Sequence, residues 1–254
     1  TLVARRIARE RAVWLALLFA FATPVLYRSA HLNHNMFLME VLFGAFLLLW
    51  AKPGESARLS TTRRAWAGFL CGMAISLDYA GIVPAGVLAL YFFVPRARSA
   101  GLATALRETI APVLAALPPL VFLFATQWAM FGDPWKPGQF WMPRQNEFVD
   151  VGTRGIALPS WEVFLKNLVS PSWGLLPFAP LLVFGFLPAR KLVGEWVLPL
   201  RERRLSAAFV LAFMLFCAMN VYSLLQFNTG FRYLLPIVPF LFLAARDHLA
   251  RLDK

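Results

Sequence analysis

The chain is a succession of apolar runs with little between them, and that pattern limits the folds open to it. Eight runs stand out, at about 12–29, 35–51, 65–80, 81–95, 109–131, 171–189, 206–227 and 232–246. About 20 apolar residues in a helix, each rising ~1.5 Å, cross the hydrocarbon layer of a bilayer, so runs of this kind are membrane-span candidates. The third and fourth are short, and Asp78-Tyr79-Ala80-Gly81 separates them as a hairpin. Composition points the same way, with 59% hydrophobic and only 15% charged residues, where a soluble domain carries about 25% charged. The fold expected is all-α: a polytopic transmembrane helical bundle of about eight spans, forming a single transmembrane domain over residues 1–254.

The net charge of +12 does not mark a nucleic-acid footprint, because of where the cations fall. With the N-terminal arm numbered as inside, nineteen of the 25 lysines and arginines lie on inside segments. Arg63 and Arg64, Arg96 and Arg98, and Arg201, Arg203 and Arg204 are among them. Arg28, Lys136, Arg144, Arg154, Lys166 and Arg232 make up the outside set. That asymmetry follows the positive-inside rule and sets both termini in the cytoplasm. Anionic headgroups of the inner leaflet, not nucleic acid, are the expected partners of the surplus.

Outside, one long connection runs from residue 132 to 161, followed by WEVFLKNLV, whose mixed apolar and polar faces suit a short helix in the interface plane. Pro171, Pro177, Pro180 and Pro188 punctuate the sixth run, which is expected to be kinked or partly unwound. Gly68, Gly72 and Ser76 form a row of small residues that reads as close helix packing. Cys71 and Cys217 fall inside apolar runs and read as small hydrophobes. The first run leads into RSAHLNHN instead of a small-residue cleavage site, so it does not read as a removable signal peptide.

Polar residues within and beside the runs collect toward the outside. His31, Asn33, His34 and Asn35 crowd the first outside turn, with Glu40 about 8–10 Å below them at ~1.5 Å per residue. Asp78 and Tyr79 mark the second turn, and Asn220, Tyr222, Gln226, Asn228 and Arg232 the fourth. Ionisable groups near hydrocarbon are costly and usually face a cavity or a partner. If the helix already runs at Asn33, then Asn33, Phe37, Glu40 and Gly44 share one face. Plainer readings stand beside each of these. The two histidines suit a solvated turn capped by Asn33, and as a metal pair they lack a third ligand. Trp135, Trp141 and Trp161 suit an interfacial aromatic belt as well as a sugar-stacking role. Arg232 suits interfacial snorkelling as well as a bidentate phosphate contact. Asp78 reads as a hairpin cap or a functional carboxylate. There is no Walker loop, dinucleotide fingerprint, HExxH or nucleophile elbow, so soluble-enzyme chemistry of those kinds is excluded.

Three stretches carry a family resemblance: TPVLYRSAHLNHNMFLMEVLFGAFLLL, FGDPWKPGQF with GIALPSWEVFLKNLVSPSWGLLPFAPLLVFG, and FNTGFRYLLPIVPFLFL. Together they resemble the C-type polytopic membrane glycosyltransferases, in particular the bacterial relatives of protein mannosyltransferases and the aminoarabinose transferase. The resemblance implies transfer of a sugar from a polyprenyl-phosphate donor to an extracytoplasmic lipid, glycan or protein, at a site on the outer face of the bacterial inner membrane. It implies a general base at the acceptor and cationic groups at the departing phosphate. In this chain the candidates are His34 and Asp78 as the catalytic pair, with Arg28, Asn33, Glu40, Tyr79, Trp135 and Arg232 as substrate-binding residues. Where many relatives carry Asp, Asn33-His34-Asn35 puts an imidazole. The family's main catalytic Asp lies in an outside loop with no counterpart here, and the chain opens on Thr1, so it is expected to be an N-terminally incomplete part of a larger enzyme. No cofactor is implied, and nothing in the sequence indicates a divalent metal.

Two other classes fit a polytopic chain: a transporter or flippase, and a non-catalytic lipid-binding membrane subunit. Transporters usually carry repeats and midplane charges, and neither is visible in the sequence.

Overall fold

The computed structural model of the protein describes residues 12–31, 33–51, 59–143, 150–187, 198–224 and 231–249. Gln226, Asn228, Arg144 and Pro188 lie outside them. The regular elements of the described residues are all helices, with two isolated β-bridges as the extended pairings among them. In chain order the α-helices are α1 (Ala12–Phe21), α2 (Val25–Ser29), α3 (His34–Leu49), α4 (Thr61–Leu77), α5 (Ile82–Ala100) and α6 (Leu102–Phe131). After the long connection come α7 (Trp161–Val169), α8 (Leu175–Phe178), α9 (Leu200–Met219) and α10 (Val238–Leu249). α6, and α5 taken with the 3-10 turn Tyr79–Gly81 before it, are long and apolar enough to cross a membrane, and α1 and α3 are shorter apolar helices.

Two of the apolar runs are broken helices, for a local reason in each case. The first is interrupted at Thr23-Pro24, because Pro24 has no N–H to continue the ladder. Thr23 covers the break, donating its hydroxyl to the Phe19 carbonyl at 2.6 Å and accepting from the Val25 N–H at 3.3 Å. The sixth run, expected to be kinked or unwound, is a single α-turn at Leu175–Phe178 followed by a 3-10 helix at Pro180–Phe186. The short helix expected at WEVFLKNLV is α7, with the Ser160 hydroxyl accepting from the Val163 N–H as its N-cap.

The chain packs as two compact units. One comprises Glu40–Leu158 with Asn220–Tyr222. Within it, Gly68 and Gly72 let α4 lie directly on α6. A Cβ at Gly72 would stand 2.6 Å from the Ala116 carbonyl oxygen, and one at Gly68 would penetrate the Pro112 carbonyl. Ser76, next in the small-residue row, donates to the Pro119 carbonyl at 2.8 Å. α6 contains Pro112, and a proline there strips the Glu108 carbonyl of its helical donor. Arg64 supplies one instead, at 3.3 Å. The Glu108 carboxylate also receives a two-pronged pair from Arg96 at 2.6 and 2.7 Å, which ties α4, α5 and α6 at one end. Arg63 does the same for α3, donating to the carbonyls of Leu48 at 3.1 Å and Trp50 at 3.0 Å. Those carbonyls belong to a helix C-terminus, where no intrahelical donor remains.

The other unit comprises Thr1–Met39, Pro159–Met219 and Ser223–Lys254. Its core lies between α9 and α10, where the rings of Phe209 and Phe240 stack at 3.8 Å. Phe19 of α1 meets Phe242 edge-on at 5.2 Å. Gly185 allows the 3-10 segment to sit against the Leu241 carbonyl. α7 is held by a buried hydrogen-bond relay: Asn167 donates to Ser223 at 3.0 Å, and Ser223 to the Cys217 carbonyl at 2.8 Å.

The glycine row gives a direct test. Gly72→Leu forces apart two backbones and is expected to cost about 1–3 kcal/mol, as overpacking typically does. A Cβ at Gly86, interior to α5, would meet nothing within 4 Å, so Gly86→Ala is expected to be neutral or to stabilise by about 0.5–1 kcal/mol. Thermal unfolding of the purified full chain compares them, and equal transition temperatures would contradict the close α4–α6 contact.

Candidate functional site

The first outside turn is built by capping. Asn33 precedes α3, and its side-chain oxygen accepts the Asn35 N–H at 2.9 Å and the Asn35 amide at 3.1 Å. Two polar residues of the cluster are thereby spent on starting a helix, which is the plainer of the two readings of Asn33. The helix starts at His34 and not at Asn33, so Asn33 caps it and does not extend the face of Phe37 and Glu40. His34, the first helical residue, is exposed, and Glu40 is exposed nearly two turns on. His31 is exposed as well, packed on Tyr27 with ring centroids 4.9 Å apart.

Arg28 is the unexpected member of this unit. It ends α2 with 2% of its surface exposed, although it is an arginine. Its guanidinium lies 5.5 Å from the centre of the Tyr27 ring and within electrostatic reach of Arg232. Arg232, far along the chain, sits 4.8 Å from the Tyr233 ring centre and donates to the Tyr233 hydroxyl at 3.3 Å. Two guanidinium groups supported on aromatic faces thus converge in one unit. Each carries the planar fork that binds carboxylate or phosphate through two parallel hydrogen bonds.

The second unit holds the other candidates. Asp78 ends α4 and begins the 3-10 turn, its carboxylate accepting the Ala80 N–H at 2.9 Å. It is therefore a hairpin cap. Tyr79 beside it hydrogen-bonds to Gln127, a buried amide in the last turn of α6. The Gln127 nitrogen also faces the carbonyls of Pro134 at 2.8 Å and Lys136 at 3.3 Å. The turn between them carries Trp135, whose indole packs on Phe124 at 5.0 Å while remaining exposed. Tyr79 and Trp135 are so joined through one buried side chain. His34 and Asp78 belong to different units, and neither unit contains the pair.

Two polar residues were not among the site candidates read from the sequence. Gln127 is hidden in the longest apolar run, and besides the Tyr79 hydroxyl its partners are main-chain carbonyls that leave no residue signature. Arg154 is the other. It adopts a left-handed backbone (φ 54°) between two positive-φ glycines, Gly152 and Gly155. Non-glycine residues there are uncommon and collect at functional sites. The loop is pinned by the Val221 N–H donating to the Gly155 carbonyl at 3.0 Å and by Gly155 lying flat on the Tyr222 ring. Arg154 is within electrostatic reach of Tyr222, and its buried Nη1 has no hydrogen-bond partner among the described residues. The Gly-Thr-Arg-Gly spacing was the available signal. No group of three or more His, Cys, Asp or Glu side chains among the described residues is placed to hold a metal. Comparisons with protein families, with curated proteins and with solved structures returned no match.

The turn before Trp135 has a defined pH response. The Trp135 N–H, at 2.9 Å, and then the Lys136 ammonium, at 3.0 Å, hold the Asp133 carboxyl below its ordinary range near 3.8. The folded value is the lower one, so the ionised form supports the turn. That support is complete above the unfolded value and is lost as pH falls through the folded value. The hydrogen-exchange protection factor of the Trp135 amide is expected to hold steady from about pH 7 to 5 and to fall only at pH values below the ordinary carboxylate range. Asp133→Asn should remove the pH dependence; a collapse near neutrality would contradict the assignment.

Proposed function

We propose that the protein is a multi-pass membrane glycosyltransferase that moves a sugar from a polyprenyl-phosphate donor to an extracytoplasmic acceptor. Its surface supports the membrane part of this reading. α6 carries Ile110, Val113, Leu117, Val121 and Phe122 exposed along its length, and contiguous exposed apolar surface marks contact with a membrane or a partner. The cation asymmetry adds an orientation, with the termini inside and the long 132–161 connection outside.

The convergence of Arg28 and Arg232 carries the chemical part. Like charges brought together on aromatic faces suit a shared anion, and the donor's phosphate is the anion the reaction releases. In the transfer, the acceptor hydroxyl loses its proton as its oxygen attacks the anomeric carbon. The bond from that carbon to the phosphate oxygen breaks, and the charge moves onto the phosphate. The two guanidinium groups stabilise that developing charge. His34, exposed at the head of α3, is the base that takes the acceptor's proton. Asn33 caps the His34 helix. The single domain of about eight spans, located in a bacterial inner membrane, belongs to this same reading.

Transfer from a radiolabelled polyprenyl-phosphate sugar, assayed in membranes containing the full-length protein, is the direct test. Arg232→Lys keeps charge but loses the fork, and with Arg28→Ala it should lower transfer by about 10²-fold. Unchanged transfer in both would remove the phosphate assignment. His34→Ala should lower transfer by about 10²–10⁴-fold without loss of folding. Asp78→Asn preserves the capping oxygen, so a drop in transfer would separate a chemical role from the cap, and normal transfer would leave Asp78 structural.

Topology is tested separately. A side chain at Gly138 meets nothing closer than 3.8 Å, so Gly138→Cys should react with an impermeant maleimide in intact cells. Reaction only after lysis would reverse the orientation.

A further inference from the structure

The unit containing α9 and α10 has a long apolar groove of about 700 Å³. Its volume lies within the ~300–1,000 Å³ of ligand sites. Phe164 of α7, Phe186 of the 3-10 segment and Phe240 of α10 form walls around a stripe of α9. Ala207 and Leu211, both exposed, open it to the surroundings. Arg203 is the one charged residue among the described residues lining it. Arg203 is oriented by donating its Nε–H to the Leu198 carbonyl at 3.1 Å. One turn along, Ser206 also lines the groove; it is 1% exposed, and its hydroxyl has no hydrogen-bond partner among the described residues.

The groove's length and polarity select its occupant. Arg203 and Met214, both on α9, bound the stripe, and the eleven rises between them at ~1.5 Å span about 16 Å. One leaflet of the hydrocarbon core is about 15 Å deep, half of ~30 Å. An apolar channel one leaflet long, with a cation and a buried hydroxyl at the cytoplasmic end, matches a lipid with a single anionic headgroup. Arg201 and Arg204, exposed in the same turn, extend the positive charge around that end, and the acidic Glu202 between them is buried outside the lining. We propose that this groove holds one acyl chain of an anionic phospholipid of the cytoplasmic leaflet, with its phosphate against Arg203 and Ser206. This lipid is distinct from the sugar donor, whose phosphate is assigned to Arg28 and Arg232. The inference rests on the membrane part of the proposed function but not on sugar transfer.

The test uses the full chain in neutral detergent, with phosphatidylglycerol or phosphatidylcholine supplied at equal concentration and retained lipid counted by native mass spectrometry. One phosphatidylglycerol should be retained about fivefold more strongly than phosphatidylcholine, the effect expected of one arginine at an anionic headgroup. Arg203→Gln should abolish that preference while leaving tail binding. Ala207→Trp, or Leu211→Trp if the first does not fold, fills the groove and should reduce both lipids. Equal retention of the two lipids by the wild type would overturn the proposal. So would phosphatidylglycerol retention unchanged in Arg203→Gln or in a folded Trp variant. Sugar transfer enters neither arm, so failure here leaves the donor reading standing, and the reverse also holds.

Discussion

Main-chain carbonyls that helices cannot satisfy on their own shape the unit built on α4, α5 and α6. Pro112 leaves the Glu108 carbonyl without its helical donor, and Arg64 provides one from α4. The end of α3 strands further carbonyls, and Arg63 collects two of them within 3.1 Å. Unmet buried hydrogen bonds cost about 1–3 kcal/mol each, so such contacts fix helix ends more firmly than surface pairs would. Side-chain donors can reach those carbonyls only if α4 and α6 are nearly in contact. The glycines at 68 and 72 make that approach possible, and the serine at 76 uses it. Small residues and arginines thus act on one constraint, the arginines from the first turn of α4 and the small residues at 68, 72 and 76 beyond it.

That constraint also separates what the sequence displays from what it hides. Helix positions are legible because apolar periodicity and the turn chemistry of Asp78-Tyr79-Ala80-Gly81 and Ser160 are local. The break through the sixth run is legible for the same reason, since a proline removes a donor wherever it stands, whereas the one at Pro24 lay within what reads as a single run from 12 to 29. The division into two compact units is not legible. It depends on which apolar faces meet, and nearly every face in this chain is apolar. The arginines at 63, 64 and 96 mislead in a more instructive way. Their placement reads as orientation, yet each also ends on a carbonyl or on Glu108, and one residue can do both.

The candidate site was partly legible, in residue types more than in geometry. Asn33, His34 and Asp78 attract notice because polar residues are scarce, but scarcity does not tell a cap from a catalyst. The structure assigns capping to Asn33 and to Asp78, and leaves two exposed histidines, His31 and His34, at the first turn. Gln127 escaped notice because an amide within an apolar run looks like an isolated exception. Its role becomes visible only when the Pro134 and Lys136 carbonyls fold back over α6. Arg154 was overlooked because strain belongs to the backbone and only the glycines around it leave a trace.

Arginine occurs here in two settings, and the difference bears on function. Arg64 and Arg96 end on a fixed carboxylate, with forks set by two helices, and their surroundings are those of a structural tie. Arg28 and Arg232 are set on tyrosine rings, and Arg28 lies within electrostatic reach of Arg232. Aromatic faces hold a guanidinium in place with modest energy, about 0.5–2 kcal/mol, and leave its in-plane N–H directions aimed elsewhere. Repulsion between the pair raises the energy of the arrangement, and an anion between the two forks would lower it. A purely structural arginine pair gains nothing from that repulsion. A pair that must bind phosphate, and hold it more strongly as negative charge develops, gains from having it relieved at the step where the leaving group departs.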